Sequence, residues 1–261
     1  LANGKIYENT PFKNVYVLGP AGDGGTCIGT ALFAYHQILN KKKRNQIRNL
    51  YFGTEYSNEE IEELLEEKKL RFKKFNDESG LLEKAAELLN QGKIIGWFQG
   101  RMELGPRALG ARSMLAKPSP RSMKDKINKI KKRESFRPFA GSVLQEEVHE
   151  LFLVPEKNHH SPFMNFVFQV KSGKKDKISA IVHADGTCRI QTVNKESGRY
   201  YRLIKKFYEI TGVPCILNTS FNVAGEPIVE NPKQAIEDFL KTSIDYLVIG
   251  DYLLKKINYR E

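Results

Sequence analysis

The chain has 261 residues, 40% of them hydrophobic, enough to bury a sizeable core as one large domain or as one domain plus a further piece. Its formal net charge of +11 calls for anionic partners, whether nucleotides, phosphates or nucleic acid. No apolar run approaches the ~18 residues of a membrane span, and no signal-peptide pattern opens the sequence. The three cysteines, Cys27, Cys188 and Cys215, form no C-x-x-C pair and read as reduced core thiols of a cytoplasmic protein.

Residues 1–13 are polar and irregular. Val15 to Leu18 reads as a short apolar strand, followed by the turn Gly19-Pro-Ala-Gly-Asp-Gly-Gly-Thr26 and an amphipathic helix from Cys27 to Leu39. A glycine-rich turn between strand and helix offers backbone N–H groups and a positive helix end to a phosphate. The spacing is neither a P-loop, since no Gly-Lys-Ser/Thr follows, nor a clean G-x-G-x-x-G. Asp23 is the only charge in the turn and could hold a metal or a ribose, or simply cap the helix. The charged stretch 40–75 reads as a boundary, with the linker at 51–78. Within it, Ser57-Asn-Glu-Glu60 has the spacing of a capping box ahead of a helix carrying Ile61, Leu64 and Leu65.

Asn76 to Gln91 is apolar at helical spacing and is closed by Gly92. Ile94, Ile95, Trp97 and Phe98 then form a buried strand. Gly100, Gly105 and Gly110 break the chain into tight backbone, and Arg101, Arg107 and Arg112 stand between them. The guanidinium fork matches phosphate oxygens, and glycine lets backbone N–H groups approach the same anion. Pro106 and the regular glycine spacing stiffen this loop, so it reads as an anion-binding loop rather than a solvated one. Ser113 to Ala116 is strand-like, Pro118 and Pro120 mark a turn, and Ser122 to Lys132 is a basic amphipathic helix. Lys131-Lys-Arg-Glu-Ser-Phe-Arg-Pro-Phe139 forms a second cationic knot, in which Pro138 fixes the backbone beside Arg137, and Phe136 and Phe139 are expected to bury its flanks.

Val143 and Leu144 continue as a strand, and 145–160 as helix and loop, with His159 and His160 pointing apart as loop residues. Phe163 to Val170 and Ile178 to Val182 read as strands around a hairpin loop, Lys171 to Lys177. In His183-Ala-Asp-Gly-Thr-Cys-Arg-Ile-Gln191, Asp185-Gly186 is a turn signal, Arg189 and Gln191 share a strand face, and His183 is either an acid–base group or a satisfied structural histidine. Arg199 to Thr211 is a helix capped by Gly212. The strand Val213 to Leu217 ends in Asn218-Thr-Ser-Phe-Asn222, then Val-Ala-Gly-Glu-Pro227. Amides and hydroxyls at the end of an apolar strand are where an α/β sheet places its ligand. A helix from Pro232 to Leu240, capped by Asn231, and a last strand, Tyr246 to Ile249, close the chain at Gly250-Asp251. Strands alternating with helices predict an α/β fold with one antiparallel hairpin.

Four motifs, Gly96 to Ser113, Lys131 to Phe139, His183 to Val193, and Asn218 to Asn222 with Gly225-Glu-Pro227, together make nearly the whole chain resemble the C-terminal half of the O-carbamoyltransferases, the family of nodulation-factor, cephamycin and aminoglycoside carbamoyltransferases. The resemblance implies a YrdC-like domain at 79–261, a twisted mixed sheet with flanking helices. Before it come the linker and a terminal strand–helix piece of an actin/sugar-kinase-like (ASKHA) domain at 1–50. It implies that the YrdC-like domain binds carbamoyl phosphate and ATP with Mg²⁺ and makes a carbamoyl-adenylate. The ASKHA-like domain then transfers the carbamoyl group to a hydroxyl-bearing small-molecule or sugar acceptor, using iron or another divalent metal. Asp23 matches a family position associated with metal and nucleotide, but the paired-histidine metal motif does not occur in these residues.

On this reading Arg107, Arg137 and Arg189 neutralise carbamoyl phosphate while Lys131 or Lys132 approaches the ATP phosphates. Asn218, Ser220 and Asn222 orient the carbamoyl amide or the nucleotide. Arg101, Arg112, Ser113, His183, Asp185, Gln191 and Thr219 complete the expected binding set. The rival readings are an RNA-binding module, suggested by the net charge and by Phe136 and Phe139 beside cations, and a nucleotide-binding remnant without turnover. The enclosed arginine loop argues against nucleic acid. The oligomeric state stays open, a homodimer included.

Overall fold

The computed structural model describes residues 2–44, 46–156 and 159–256. Leu1 and residues 257–261, which fall in the expected units 1–50 and 79–261, lie outside the described residues, as do 45, 157 and 158. The chain opens with helices α1 (Ala2–Asn9), α2 (Thr26–Phe33) and α3 (Asn58–Glu67), then strand β1 (Phe72–Lys74) and helix α4 (Glu78–Asn90). Strands β2 (Ile95–Phe98) and β3 (Arg112–Ala116) flank the glycine-rich loop and lead to α5 (Ser122–Ile130) and β4 (Ala140–Leu144). There follow α6 (Val148–Leu151), β5 (Phe166–Gln169), β6 (Thr187–Val193), α7 (Arg199–Thr211), β7 (Cys215–Ser220), α8 (Pro232–Lys241), β8 (Tyr246–Ile249) and β9 (Tyr252–Lys255).

The strands form one sheet in the order β1-β9-β8-β2-β3-β7-β4-β6-β5. β2 with β8 and β4 with β6 pair in parallel, and the other pairs are antiparallel. The central strands read as continuous apolar runs because both faces of the sheet are covered. Successive residues serve opposite faces. Trp97, Leu115, Ile216 and Val248 pack with α4 and α7. Phe98, Met114, Leu217 and Ile249 pack with Ile61 and Leu65 of α3, Ile127 of α5 and Ile236 and Phe239 of α8. Gly96 has no room for a side chain: a Cβ there would stand 2.8 Å from the Phe221 ring.

Several elements differ from the sequence-based expectation. Residues 2–9 are helical rather than irregular, and α1 lies so close on β5 that a Cβ on Gly4 would meet the Val167 carbonyl oxygen at 2.3 Å. Val15 to Leu18 forms no ladder: its backbone is held instead by the Asn165 amide, which donates to the carbonyls of Val17, Leu18 and Gly19. The helix after it starts at Thr26 and exposes Phe33, Ile38 and Leu39.

The expected linker 51–78 is built into the sheet layer. The Ser57–Glu60 capping box starts α3, which buries Ile61 and Leu65, and β1 pairs with β9. Strand β9, beyond the expected end of the last strand, follows a tight turn with Gly250 at φ +55. Ile178 to Val182 is not a strand, because a 3₁₀ segment at Ser172–Ile178 makes the return, yet Ala180 and Ile181 still reach the core. Cys188 and Cys215 are buried as expected, and Cys27 is exposed.

Candidate anion-binding site

Sheet register assembles the site. Ala140, the first residue of β4, stands opposite Arg189 on β6 and opposite Asn218 on β7. One end of three adjacent strands thus collects Arg189, Asn218, Thr219 and Ser220. The loop between β2 and β3 brings Arg107 over them, and the turn after α5 brings Arg133 and Phe139. Together with His183 and Met164 these residues wall a cavity of about 110 Å³.

Three guanidiniums, of Arg107, Arg133 and Arg189, line this cavity, and no carboxylate does among its described lining residues. Burial, and next the neighbouring Arg107 charge, hold the Arg189 pKa below its ordinary value. Arg133 is lowered as well, first by burial and then by Arg137. Its guanidinium lies 4.6 Å over the Phe139 ring, and its Nε donates to Asn128 Oδ1 at 2.6 Å. Its Nη2 and the Asn218 Oδ1 are buried polar atoms without a partner. Mutually repelling cations, one of them with an unpartnered donor, are the signature of a site shaped for an anion, and the Asn218 oxygen offers an acceptor beside them. His183 sits in the wall with Nε2 3.3 Å from the Phe139 carbonyl oxygen and Nδ1 3.2 Å from Thr187 Oγ1. Burial lowers its pKa, and these two contacts fix the ring in the wall.

The expected residues divide sharply. Arg107, Arg189, His183, Asn218, Thr219 and Ser220 come together. Gln191 is buried and does not line the cavity: its amide donates to the Leu109 carbonyl and accepts from Ser142 Oγ. Asn218 also spends its amide on the loop, at the Ala108 carbonyl. Arg112 does not line the cavity. It is fully buried on β3, and its guanidinium donates to the carbonyls of Gln99, Gly100, Ala111, Thr54 and Glu230 while lying 3.6 Å over the Phe98 ring. That burial lowers its pKa to about 10. Its donors are turned to these carbonyls. Ser113, also fully buried, does not reach the cavity either.

Arg101 faces the other side of the loop, paired with Glu55 at 3.4 Å in a separate cleft with Arg199 and Asp251. Arg137 is exposed and pairs with Glu134 at 2.8 Å, so it stands outside the cavity near Arg133. Phe136, expected to bury a flank of the knot, is 76% exposed. Lys131 is buried, and its Nζ donates to the carbonyls of Ser220 and Asn222 and to both their side chains. With no carboxylate in contact, burial lowers its pKa to about 7. Lys132 is exposed. Asn222 anchors Lys131 and the Glu226 carbonyl rather than facing the cavity. Asp185 accepts from Thr187 within its own turn. Asp23 is exposed, and among the described residues no group of three or more His, Cys, Asp or Glu side chains is arranged to hold a metal, so the residues present do not fit an iron site.

Two residues outside the expected set carry the geometry. Arg133 was hidden in a run of four charges, where only the three-dimensional turn tells which one points inward. Glu103 is 2% exposed, and its Oε1 accepts from the backbone N–H groups of Leu109 (2.5 Å), Ala111 (3.2 Å) and Arg112 (3.3 Å). A lone acid inside an arginine-rich loop was the available signal for it.

Residues 86–256 match the family described as Carbamoyltransferase C-terminus. The chain is 41% identical over 259 residues to nodulation protein NolNO of Sinorhizobium fredii, covering 97% of this chain and 38% of that protein. It is 40% identical over 265 residues to nodulation protein NolO of Bradyrhizobium diazoefficiens, covering 97% and 47%. The chain therefore spans less than half the length of these curated relatives. Among solved structures, P. abyssi Sua5 complexed with L-threonine aligns with a TM-score of 0.49 at 16% identity, over 67% of this chain and 48% of that one. No helix of the described residues is long and apolar enough to cross a membrane. With the family match running from α4 through β9, across every strand that lines the cavity, the chain belongs to the carbamoyltransferase family, as a carrier of its C-terminal part.

Proposed function

We propose that the arginine cavity binds carbamoyl phosphate, that the phosphates of Mg²⁺-ATP lie against the Lys131–Phe139 turn beside it, and that the chain catalyses formation of a carbamoyl-adenylate. Transfer of the carbamoyl group to a hydroxyl of an acceptor belongs, on this reading, to the longer protein that the relatives represent. The observation that supports it is the convergence of Arg107, Arg133 and Arg189 on a cavity of about 110 Å³ with no lining carboxylate. A small, compact dianion satisfies all three; a polynucleotide backbone would need an open groove instead.

Release of both phosphate and pyrophosphate requires one water for the atoms to balance. Water cleaves carbamoyl phosphate to carbamate and phosphate. A carbamate oxygen then attacks the α-phosphorus of ATP, and the bond to the bridging oxygen of pyrophosphate breaks. The protein's part is positioning and charge stabilisation rather than covalent chemistry. Arg107 and Arg189 hold the leaving phosphate, Arg133 stabilises charge on the transferred group, and the Asn218 Oδ1 accepts from the carbamoyl NH₂. His183, fixed on the Phe139 carbonyl, shapes the wall. Mg²⁺ arrives with the nucleotide as part of the substrate.

The test is pyrophosphate release from ATP by this chain in Mg²⁺, with and without carbamoyl phosphate. Release that depends on carbamoyl phosphate, and that falls at least about a hundredfold in Arg189→Ala, is the expected result. ATP binding with no carbamoyl-phosphate-dependent release would overturn the activation step for this chain.

A further inference from the structure

The loop that carries Arg107 is fastened from both sides. Donors hold its carbonyls: the Asn218 amide takes Ala108 at 3.1 Å, and the Gln191 amide and the Tyr51 hydroxyl both take Leu109 at 2.8 Å. One acceptor holds its N–H groups. Oε1 of Glu103 receives those of Leu109, Ala111 and Arg112. Glu103 is the only acid between Phe98 and Arg112, and it is turned inward, 2% exposed, away from the solvent its charge prefers. Burying a carboxylate is costly unless hydrogen bonds offset the lost hydration. Three N–H donors converging on Oε1 offset part of that cost, while Oε2 is buried without a partner, and in return the backbone on both sides of Gly110 is fixed.

Gly110 itself leaves no slack. It adopts φ +109, and a Cβ there would stand 2.2 Å from the Tyr200 ring. Arg107 is therefore the exposed tip of a loop whose base cannot shift without breaking the Glu103 contacts. Tip and base are only four residues apart, and Ala108 at the tip is already tied to Asn218 in the cavity wall.

We propose that Glu103 is a positioning residue for the anion site: through Leu109, Ala111 and Arg112 it sets where the Arg107 guanidinium stands over Arg189. This role rests on the proposed binding of carbamoyl phosphate in the arginine cavity. What Glu103 supplies is reach. Its Oε1 must extend far enough to meet three N–H groups at once, which aspartate, with a carboxylate retracted by about 1.5 Å, cannot do. Glutamine keeps the reach and the accepting oxygen, gives up the charge, and puts an NH₂ where the unpartnered Oε2 stands.

The experiment measures carbamoyl phosphate affinity by calorimetry on the full chain, in wild type, Glu103→Asp, Glu103→Gln, Arg107→Ala and the double variant Glu103→Asp/Arg107→Ala, each checked for a cooperative melt. Glu103→Asp is expected to weaken binding roughly tenfold or more, since a displacement near 1 Å suffices for losses of that order. Glu103→Gln stays within about threefold. The double variant binds no more weakly than Arg107→Ala alone, because Glu103 acts through Arg107; independent effects would add. Wild-type affinity in folded Glu103→Asp, equal losses in the Asp and Gln variants, or additive losses in the double variant would each overturn the role of Glu103 while leaving carbamoyl phosphate binding intact. A wild-type chain that binds no carbamoyl phosphate would overturn the functional reading and this role with it.

Discussion

Lys131 donates from Nζ to Oδ1 of Asn222 at 2.8 Å, beside the strand end whose Thr219 and Ser220 line the arginine cavity. The same ammonium reaches the carbonyls of Ser220 and Asn222 and the Ser220 hydroxyl. One buried cation thus closes the Asn218–Asn222 turn. It acts on the wall of the site rather than on the ligand.

Stability should therefore depend on pH through Lys131. Burial lowers its pKa from 10.5 to about 7 in the folded chain. The unfolded chain keeps the proton up to the higher value, so between these two pH values the unfolded state binds more protons and stability rises with pH. Below about pH 7 both states are charged and the contribution is at its lowest. Between pH 7 and 9 the stability of wild type relative to Lys131→Met should rise by about 2 kcal/mol. Urea titrations of both proteins at the two pH values measure it, and a difference that does not change with pH would show that Lys131 keeps an ordinary pKa.

Arg112 is predicted to matter for folding and not for anion affinity. Five carbonyls share its guanidinium, and lysine cannot reproduce that fork. Arg112→Lys should cost about 2–4 kcal/mol, several buried acceptors losing their donors. The fraction that remains folded should bind carbamoyl phosphate with wild-type affinity. An unchanged urea midpoint, or a folded variant with much weaker binding, would return Arg112 to the site.

Arg112 also shows where reading the sequence stops. Three arginines between glycines announce a cationic loop, and two of the cavity's three guanidiniums, Arg107 and Arg189, follow from spacing and strand phase. The direction each side chain takes does not. Arg112 is the first residue of β3 and turns beneath the loop, whereas Arg101 and Arg107 leave on opposite sides of it. Asn218 was legible as a polar side chain at a strand end and Gln191 as one on the strand face of Arg189, but their use on loop carbonyls depends on which strand lies next to which. The long helices α4, α7 and α8 were legible from apolar periodicity and caps. Helix α1 was not, because an eight-residue polar segment takes its helix from packing on β5 rather than from its own pattern.

Arg133 should be the cation whose loss is felt most and which lysine restores least. Asn128 holds its Nε and Phe139 supports its plane, and Nη2 is buried without a partner in the wall that Arg133 gives the cavity. A lysine ammonium can neither stack there nor bond Asn128 while reaching inward. Both Arg133→Ala and Arg133→Lys are expected to lower carbamoyl phosphate affinity by about tenfold or more, in keeping with the loss of a charge-assisted hydrogen bond in a partly dry site. Lysine restoring wild-type affinity would mean that Arg133 acts only as a charge.

Leu65 tests the integration of residues 51–78 into the fold. A tether between independent units would tolerate truncation of its side chains. Here Leu65 of α3 is 0% exposed and Ile61 is 2% exposed, and both sit in the cluster that covers Phe98, Ile249 and Phe239. The next strand, β1, extends the sheet at β9. Removing three buried carbons there loses their transfer free energy and leaves a cavity that the capped helix cannot easily close. Leu65→Ala should destabilise the chain by about 3 kcal/mol in urea, with a single transition and an unchanged denaturant dependence. A loss below about 1 kcal/mol, or a separate early transition for α3, would mean that this segment docks only loosely on the sheet.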